Sequence, residues 1–178
     1  MDTFWRQGYE RTSAQDLVDA TGLGRGSLYA AYRDKDGLFE QAMLRYNRQS
    51  QENVERLRRP GKVKDRLREL LVSVAEANRG GADRRGCLAT NTAIERAAAD
   101  PEVARLVQRN FDIMIGGIRE AVERGQRTGE IASDQPAEDL ALFIFNTMQG
   151  LRVLARAPSS GKRLQLMKII DQSMRAII

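Results

Sequence analysis

Apolar residues recur at three- and four-residue spacing along most of the chain, and glycine, proline and capping residues cut the pattern into helices. Met1, Phe4 and Trp5 share one face of a first helix that Gly8 closes. That helix is short for its apolar load, so the chain is expected to begin inside it. Thr12-Ser13-Ala14-Gln15 reads as a capping box, with Gln15 reaching back to the cap. Leu17, Val18 and Ala20 continue that second helix, and Gly22 stops it in the left-handed conformation. Residues 23–31 form a third short helix anchored by Leu28, with Tyr32 beyond it.

Asp34 is the expected N-cap of a long helix, with Asp36 in its first turn. Leu38, Phe39, Ala42, Met43 and Tyr46 line one side, and Pro60-Gly61 ends the pattern after about Arg58. Its second half is nearly all polar, the character of a helix that bridges two parts of a molecule. Residues 62–79 give an amphipathic helix on Leu67, Leu70, Leu71, Val74 and Ala75, ended by Arg79-Gly80-Gly81. Residues 87–98 predict a short Ala-rich helix. Asp100-Pro101-Glu102 opens a helix that runs to Thr128 before Gly129, with Gly116-Gly117 marking a kink or a close contact. Residues 136–156 are apolar nearly all round and need cover on more than one face. The last helix, 162–178, places Leu166, Met167, Ile170, Met174 and Ile177 on one side, with Leu164, Ile169 and Ile178 as surplus.

The fold class is therefore all-α: a three-helix N-terminal domain over residues 1–46, then a helical domain over residues 47–178. Composition narrows the chemistry. The chain has no histidine, which removes Ser-His triads and HExxH zinc sites. Its single cysteine, Cys87, excludes internal disulfides and Cys-rich metal sites. No enzyme, metal or cofactor is expected. No stretch approaches the roughly 18 apolar residues that span a membrane, and the first residues lack a signal-peptide apolar run, so a cytoplasmic protein without a membrane partner is expected. Net charge is +5, mildly favouring a polyanionic partner. Residues 1–48 carry seven bases and seven acids and are neutral, whereas residues 56–68 carry seven bases and one acid. Such a run is read first as a solvated face.

The segment TSAQDLVDATGLGRGSLYAAYRDKDGLF has the logic of a helix-turn-helix. A capped helix is joined through a tight Gly turn to a second helix that exposes small polar groups and an Arg. Gly26 within that helix costs about 1 kcal/mol relative to Ala, which close approach to a groove would explain. Thr12, Leu17-Val18, Gly22-Leu23, Gly26, Leu28-Tyr29, Tyr32, Lys35 and Leu38 resemble the pattern of the tetracycline-repressor (TetR) family of transcription regulators. The motif covers about 30 residues, and the all-helical remainder extends the resemblance along the chain. Two positions depart from the family's habit: Gly24 stands where Ser or Thr is frequent, and Ala31 where His or Tyr is.

The resemblance implies a DNA-binding repressor. Thr12 and Ser13 would bind phosphate at a helix N-terminus; the alternative for Thr12 is a capping role alone. Gly24 offers its backbone N–H, Gly26 close approach, and Arg25 and Ser27 base contacts, with Arg25 suited to guanine. Tyr29 would reach phosphate, Tyr32 would do so or anchor the core, and Lys35 would bind phosphate. The resemblance further implies a homodimer through the last two helices on a palindromic double-stranded operator, with Val153, Ile170 and Ile177 at the dimer interface. A small-molecule effector would release the operator from a pocket drawn from Cys87, Asn91, Phe111, Ile115, Phe143 and Asn146, each of which is otherwise plain core. Cys87 is either a reactive thiolate near Arg84 and Arg85 or an inert half-buried thiol. A helical ligand sensor without operator binding is the alternative.

Overall fold

A computed structural model describes residues 1–77, 85–156 and 161–177. Among them the structure is helical, with no strand. The α-helices are α1 (Asp2–Gln7), α2 (Ala14–Thr21), α3 (Arg25–Tyr32), α4 (Lys35–Arg58), α5 (Val63–Ala77), α6 (Leu88–Thr92), α7 (Pro101–Thr128), α8 (Ala137–Arg156) and α9 (Lys162–Ala176). The expected Ala-rich helix is a single α-helical stretch, α6, followed by a π-helical turn over Ala93–Ala97. The expected stop at Arg79-Gly80-Gly81, Arg84 beside Cys87, and Ile178 lie outside the described residues.

The capping signals act where the sequence places them, with one shift. Asp34 Oδ1 accepts from Gly37 N at 2.8 Å and Asp100 Oδ1 from Val103 N at 3.1 Å, each holding an otherwise orphaned N–H. Gly22 ends α2 at φ +70°, a conformation that a side chain disfavours. The capping box of α2 sits one residue later than expected: Ser13 is the cap and Asp16 the residue that reaches back. Thr12 cannot serve, because its hydroxyl is buried and donates to the Gly8 carbonyl.

The chain divides into two compact units. The first comprises Met1–Gln49 and Cys87–Phe111, the second Ser50–Gly86 and Asp112–Ile178. The first is built on Phe4, Leu17, Leu28, Phe39, Met43, Leu88 and Leu106, all inaccessible. Within it, Asn110 Nδ2 donates to Asn47 Oδ1 at 2.8 Å, so a buried amide pair satisfies itself between α7 and α4.

The second unit has the larger interior, running from Val54 and Leu57 through Leu67, Leu71, Ile118, Ile144 and Met148 to Leu166 and Ile170. Gly117 explains the expected close contact: a Cβ there would lie 2.5 Å from Val54 Cγ1. α8 divides into two faces at 100° per residue. Leu140, Ala141, Ile144, Met148, Leu151 and Ala155 point inward. Leu142, Asn146 and Val153 lie on the opposite side, Phe143 and Leu154 on its flank, and all five are exposed.

Two expected interface residues are corrected by this packing. Ile170 and Ile177 are inaccessible and belong to the second unit's own core, since they continue the inward line of Leu166 and Met174. Val153, at 62% exposure, is on the outward face.

Candidate nucleic-acid interface

α2 and α3 meet across the Gly22 turn and pack on the first unit's interior through Leu17 and Leu28. With Leu28 fully buried, helical periodicity turns the rest of α3 outward. Arg25, Gly26, Ser27, Ala30 and Ala31 are exposed, and Tyr29 and Tyr32 are half-buried. A Cβ added at Gly24 or Gly26 would meet nothing within 4 Å. The missing side chains are thus not required by packing inside the chain; they leave the outer surface of α3 low. The Arg25 guanidinium lies 5.8 Å from the Tyr29 ring centroid, a loose contact that leaves its donors free to turn outward.

Ser13 is exposed at the start of α2, its hydroxyl donating to Asp16 Oδ2 at 2.6 Å. That bond, with the Ser13 backbone N–H donating to the same oxygen, holds the Asp16 carboxyl below the usual carboxylate range. Thr12, by contrast, is only 1% exposed, too enclosed to touch a phosphate. Tyr32 packs against the first unit's core, as an anchor would.

Lys35 opens α4 with its Nζ 4.2 Å from the centroid of the Tyr9 ring. Tyr9 is the centre of a cluster that sequence reasoning missed. Its hydroxyl donates to Asp36 Oδ1 at 2.7 Å, and Arg96 stacks on its ring at 3.7 Å while pairing with Asp36 and Asp100. Burial first, and the hydrogen bond to Asp36 second, push the Tyr9 phenol up to about 12. The same hydrogen bond, aided by Arg96, holds Asp36 below its ordinary range. Glu95, beside Arg96 on the π-helical turn, accepts from the backbone N–H of Tyr9 at 3.0 Å and of Glu10 at 2.9 Å. One turn of irregular helix therefore fixes both the α1–α2 loop and the start of α4. No spacing rule connects Glu95 to Tyr9, 86 positions away; the only signal available was two adjacent charges of opposite sign in an Ala-rich stretch.

At the exit of α3, Arg33 takes φ +66° while Asp34 N donates to Tyr32 O at 2.8 Å, a tight three-residue turn. A non-glycine residue there carries strain of roughly 1–3 kcal/mol, which the packing on both sides must hold.

The six expected pocket residues are divided between the two units. Cys87, Asn91 and Phe111 belong to the first unit, and Ile115, Phe143 and Asn146 to the second. Cys87 is buried and caps α6, its Sγ accepting from Thr90 N and Tyr46 Oη at 3.4 Å each. Phe111 and Ile115 are half-buried against their units' cores. Phe143 and Asn146 are exposed, 100° or more away from the inward line of α8, and are corrected to its outer face.

A short helix held rigidly with small, polar residues outermost, after a capped helix and a tight turn, defines a helix-turn-helix DNA-binding regulator. Family models agree over both parts of the chain. "Bacterial regulatory proteins, tetR family" matches residues 1–42, and "Tetracyclin repressor-like, C-terminal domain" matches residues 63–168. The chain belongs to the TetR family of transcriptional regulators. It is 33% identical to the uncharacterised HTH-type transcriptional regulator YezE of Bacillus subtilis, over 93% of this chain and 86% of that protein. It is 28% identical to the HTH-type transcriptional repressor ComR of Escherichia coli, over 98% and 83%. Among solved structures, a cysteine-substituted TetR-family regulator CifR, complexed with 26 bp double-strand operator DNA, superposes with a TM-score of 0.82 at 28% identity. That likeness covers 99% of this chain and 92% of the other. No helix among the described residues is long and apolar enough to cross a membrane.

Proposed function

We propose that this protein is a repressor that works as a homodimer, binds a palindromic operator with α3 in the major groove, and is released by a small-molecule effector. It acts by binding, not turnover, and works in the cytoplasm, where its DNA is. The observation that carries the reading is the exposed face of α3, where Gly24 and Gly26 lack side chains that the fold has room for. A helix lowered in this way lets Arg25 and Ser27 come close to base edges. Ser13, Tyr29 and Lys35 are the proposed phosphate contacts around it.

Dimerisation is assigned to the outer face of α8. Leu142, Phe143, Val153 and Leu154 form an apolar stripe that the chain itself does not cover, 42% to 62% exposed. Two-fold symmetry would set two α3 helices about 34–36 Å apart for successive major grooves. Helix α4 contributes residues to both units and is the proposed carrier of the effector signal. The test is selection of bound sequences from random duplex DNA with the full chain. Enrichment of a palindrome with half-sites about one helical turn apart supports the proposal; no enrichment at moderate salt contradicts it.

A further inference from the structure

The basic run at residues 56–68 is not a uniformly solvated face. Two of its arginines are engaged at the surface: Arg58 pairs with Glu55 and Glu120, and Arg68 with Asp171. Arg56, Arg59 and Arg66 instead line a cleft of about 300 Å³ within the second unit, between the end of α4 and α5. Arg56 and Arg59 are exposed and have no ion pair or side-chain hydrogen bond among the described residues. Arg66 pairs with Glu69 through Nη1, but its Nε is buried without a hydrogen-bond partner. A buried N–H left unsatisfied is costly, and a guanidinium is the group best shaped to grip a carboxylate or phosphate. Three guanidiniums face one carboxylate here, an excess of positive charge. The floor is apolar, formed by Leu57 and Leu70, which are almost fully buried. The volume falls at the lower end of small-molecule sites, which run from roughly 300 to 1,000 Å³.

We infer that this cleft binds a small organic anion: a carboxylate or phosphate head held by Arg56, Arg59 and Arg66, with an apolar body against Leu57 and Leu70. Identifying that anion as the effector rests on the effector-released reading above.

The experiment is calorimetric titration of the full chain at fixed ionic strength with benzoate, phenyl phosphate, inorganic phosphate and benzyl alcohol. Benzoate or phenyl phosphate should bind saturably, one per chain, and at least tenfold more tightly than inorganic phosphate. The tighter of the two identifies the head group. Benzyl alcohol should not bind. The double variant Arg56→Gln/Arg59→Gln changes two exposed side chains and should fold, as circular dichroism will verify, yet bind the organic anion at least tenfold more weakly. Absence of saturable binding by both organic anions, or equal binding by the double variant, overturns the site. Inorganic phosphate binding as tightly as the organic anions overturns the apolar half of it. Affinity for a selected operator is measured alongside: saturating anion should weaken it at least fivefold, and a bound anion that leaves it unmoved overturns the effector role. An anion-free chain that binds no operator counts against the operator proposal, not against the cleft.

Discussion

The two units solve different physical problems. In the first, the interior is modest and polar side chains hold the backbone: Glu95 ties down two N–H groups of the α1–α2 loop, and Arg96 sits between Tyr9, Asp36 and Asp100 with only 14% of its side chain exposed. In the second, a continuous apolar interior holds the helices, and the ion pairs lie on the surface, as Arg58–Glu120 and Arg68–Asp171 do. Exposed pairs of that kind contribute about 0–1 kcal/mol each. The lesson is that irregular segments are fixed by directional bonds, whereas a body of long helices can rely on shape-filling and leave one apolar face exposed.

The largest effects should separate core from face in the second unit. Ile170→Ala should cost about 2–5 kcal/mol in denaturant unfolding, since Ile170 is wholly enclosed. Val153→Glu, on the exposed stripe, should change the stability of the isolated chain by less than about 0.5 kcal/mol while shifting sedimentation toward monomer. A stable Ile170→Ala chain, or a Val153→Glu chain that remains dimeric, would break the division between the two faces.

Neighbouring glycines sharpen it further. Gly117→Ala should destabilise by about 1–3 kcal/mol, because the new methyl would press on Val54. Gly116→Ala meets nothing within 4 Å and should stabilise the helix by about 0.5–1 kcal/mol. Thermal melts that move in the same direction for both would contradict the packing described.

Smaller effects belong to the first unit's directional bonds. Ser13→Ala removes the cap of α2 and should cost about 1 kcal/mol, whereas Gln15→Ala, at the position once expected to close the box, should cost much less. Tyr9 predicts a pH dependence. Its folded value of about 12 lies above the ordinary 10.0, so its contribution is complete below pH 10 and is lost as pH climbs toward 12. Tyr9→Phe should flatten the alkaline fall in stability across that window; an unchanged slope would mean that neither burial nor Asp36 raises the phenol.

Much of this was legible along the chain. Asp34, Asp100-Pro101, Gly22 and Gly129 bound their helices as their chemistry dictates, and the spacing from Gly22 to Lys35 marked the helix-turn-helix. What escaped was long-range or angular. Glu95 reaches Tyr9 and Arg96 reaches Asp36 across sixty positions or more, a distance at which sequence spacing carries no signal. Thr12 and Ser13 are equally good caps by composition; only the hydroxyl bond to Gly8 decides between them. Ile170 and Phe143 were misplaced because a helix apolar on both sides does not say which side meets its own chain. The basic run hid the cleft for the reverse reason: charge count does not distinguish Arg58, paired at the surface, from Arg56 and Arg59, which line the cleft.

The central claim is that α3 reads bases, and Arg25 tests it most directly. Affinities of the full chain and of Arg25→Ala are measured at matched salt for the selected operator and for random duplex of equal length. The variant should lose about 1–3 kcal/mol on the operator and almost nothing on random DNA, with the salt slope retained. An equal loss on both would make Arg25 a phosphate contact, and α3 would no longer be the helix that reads sequence.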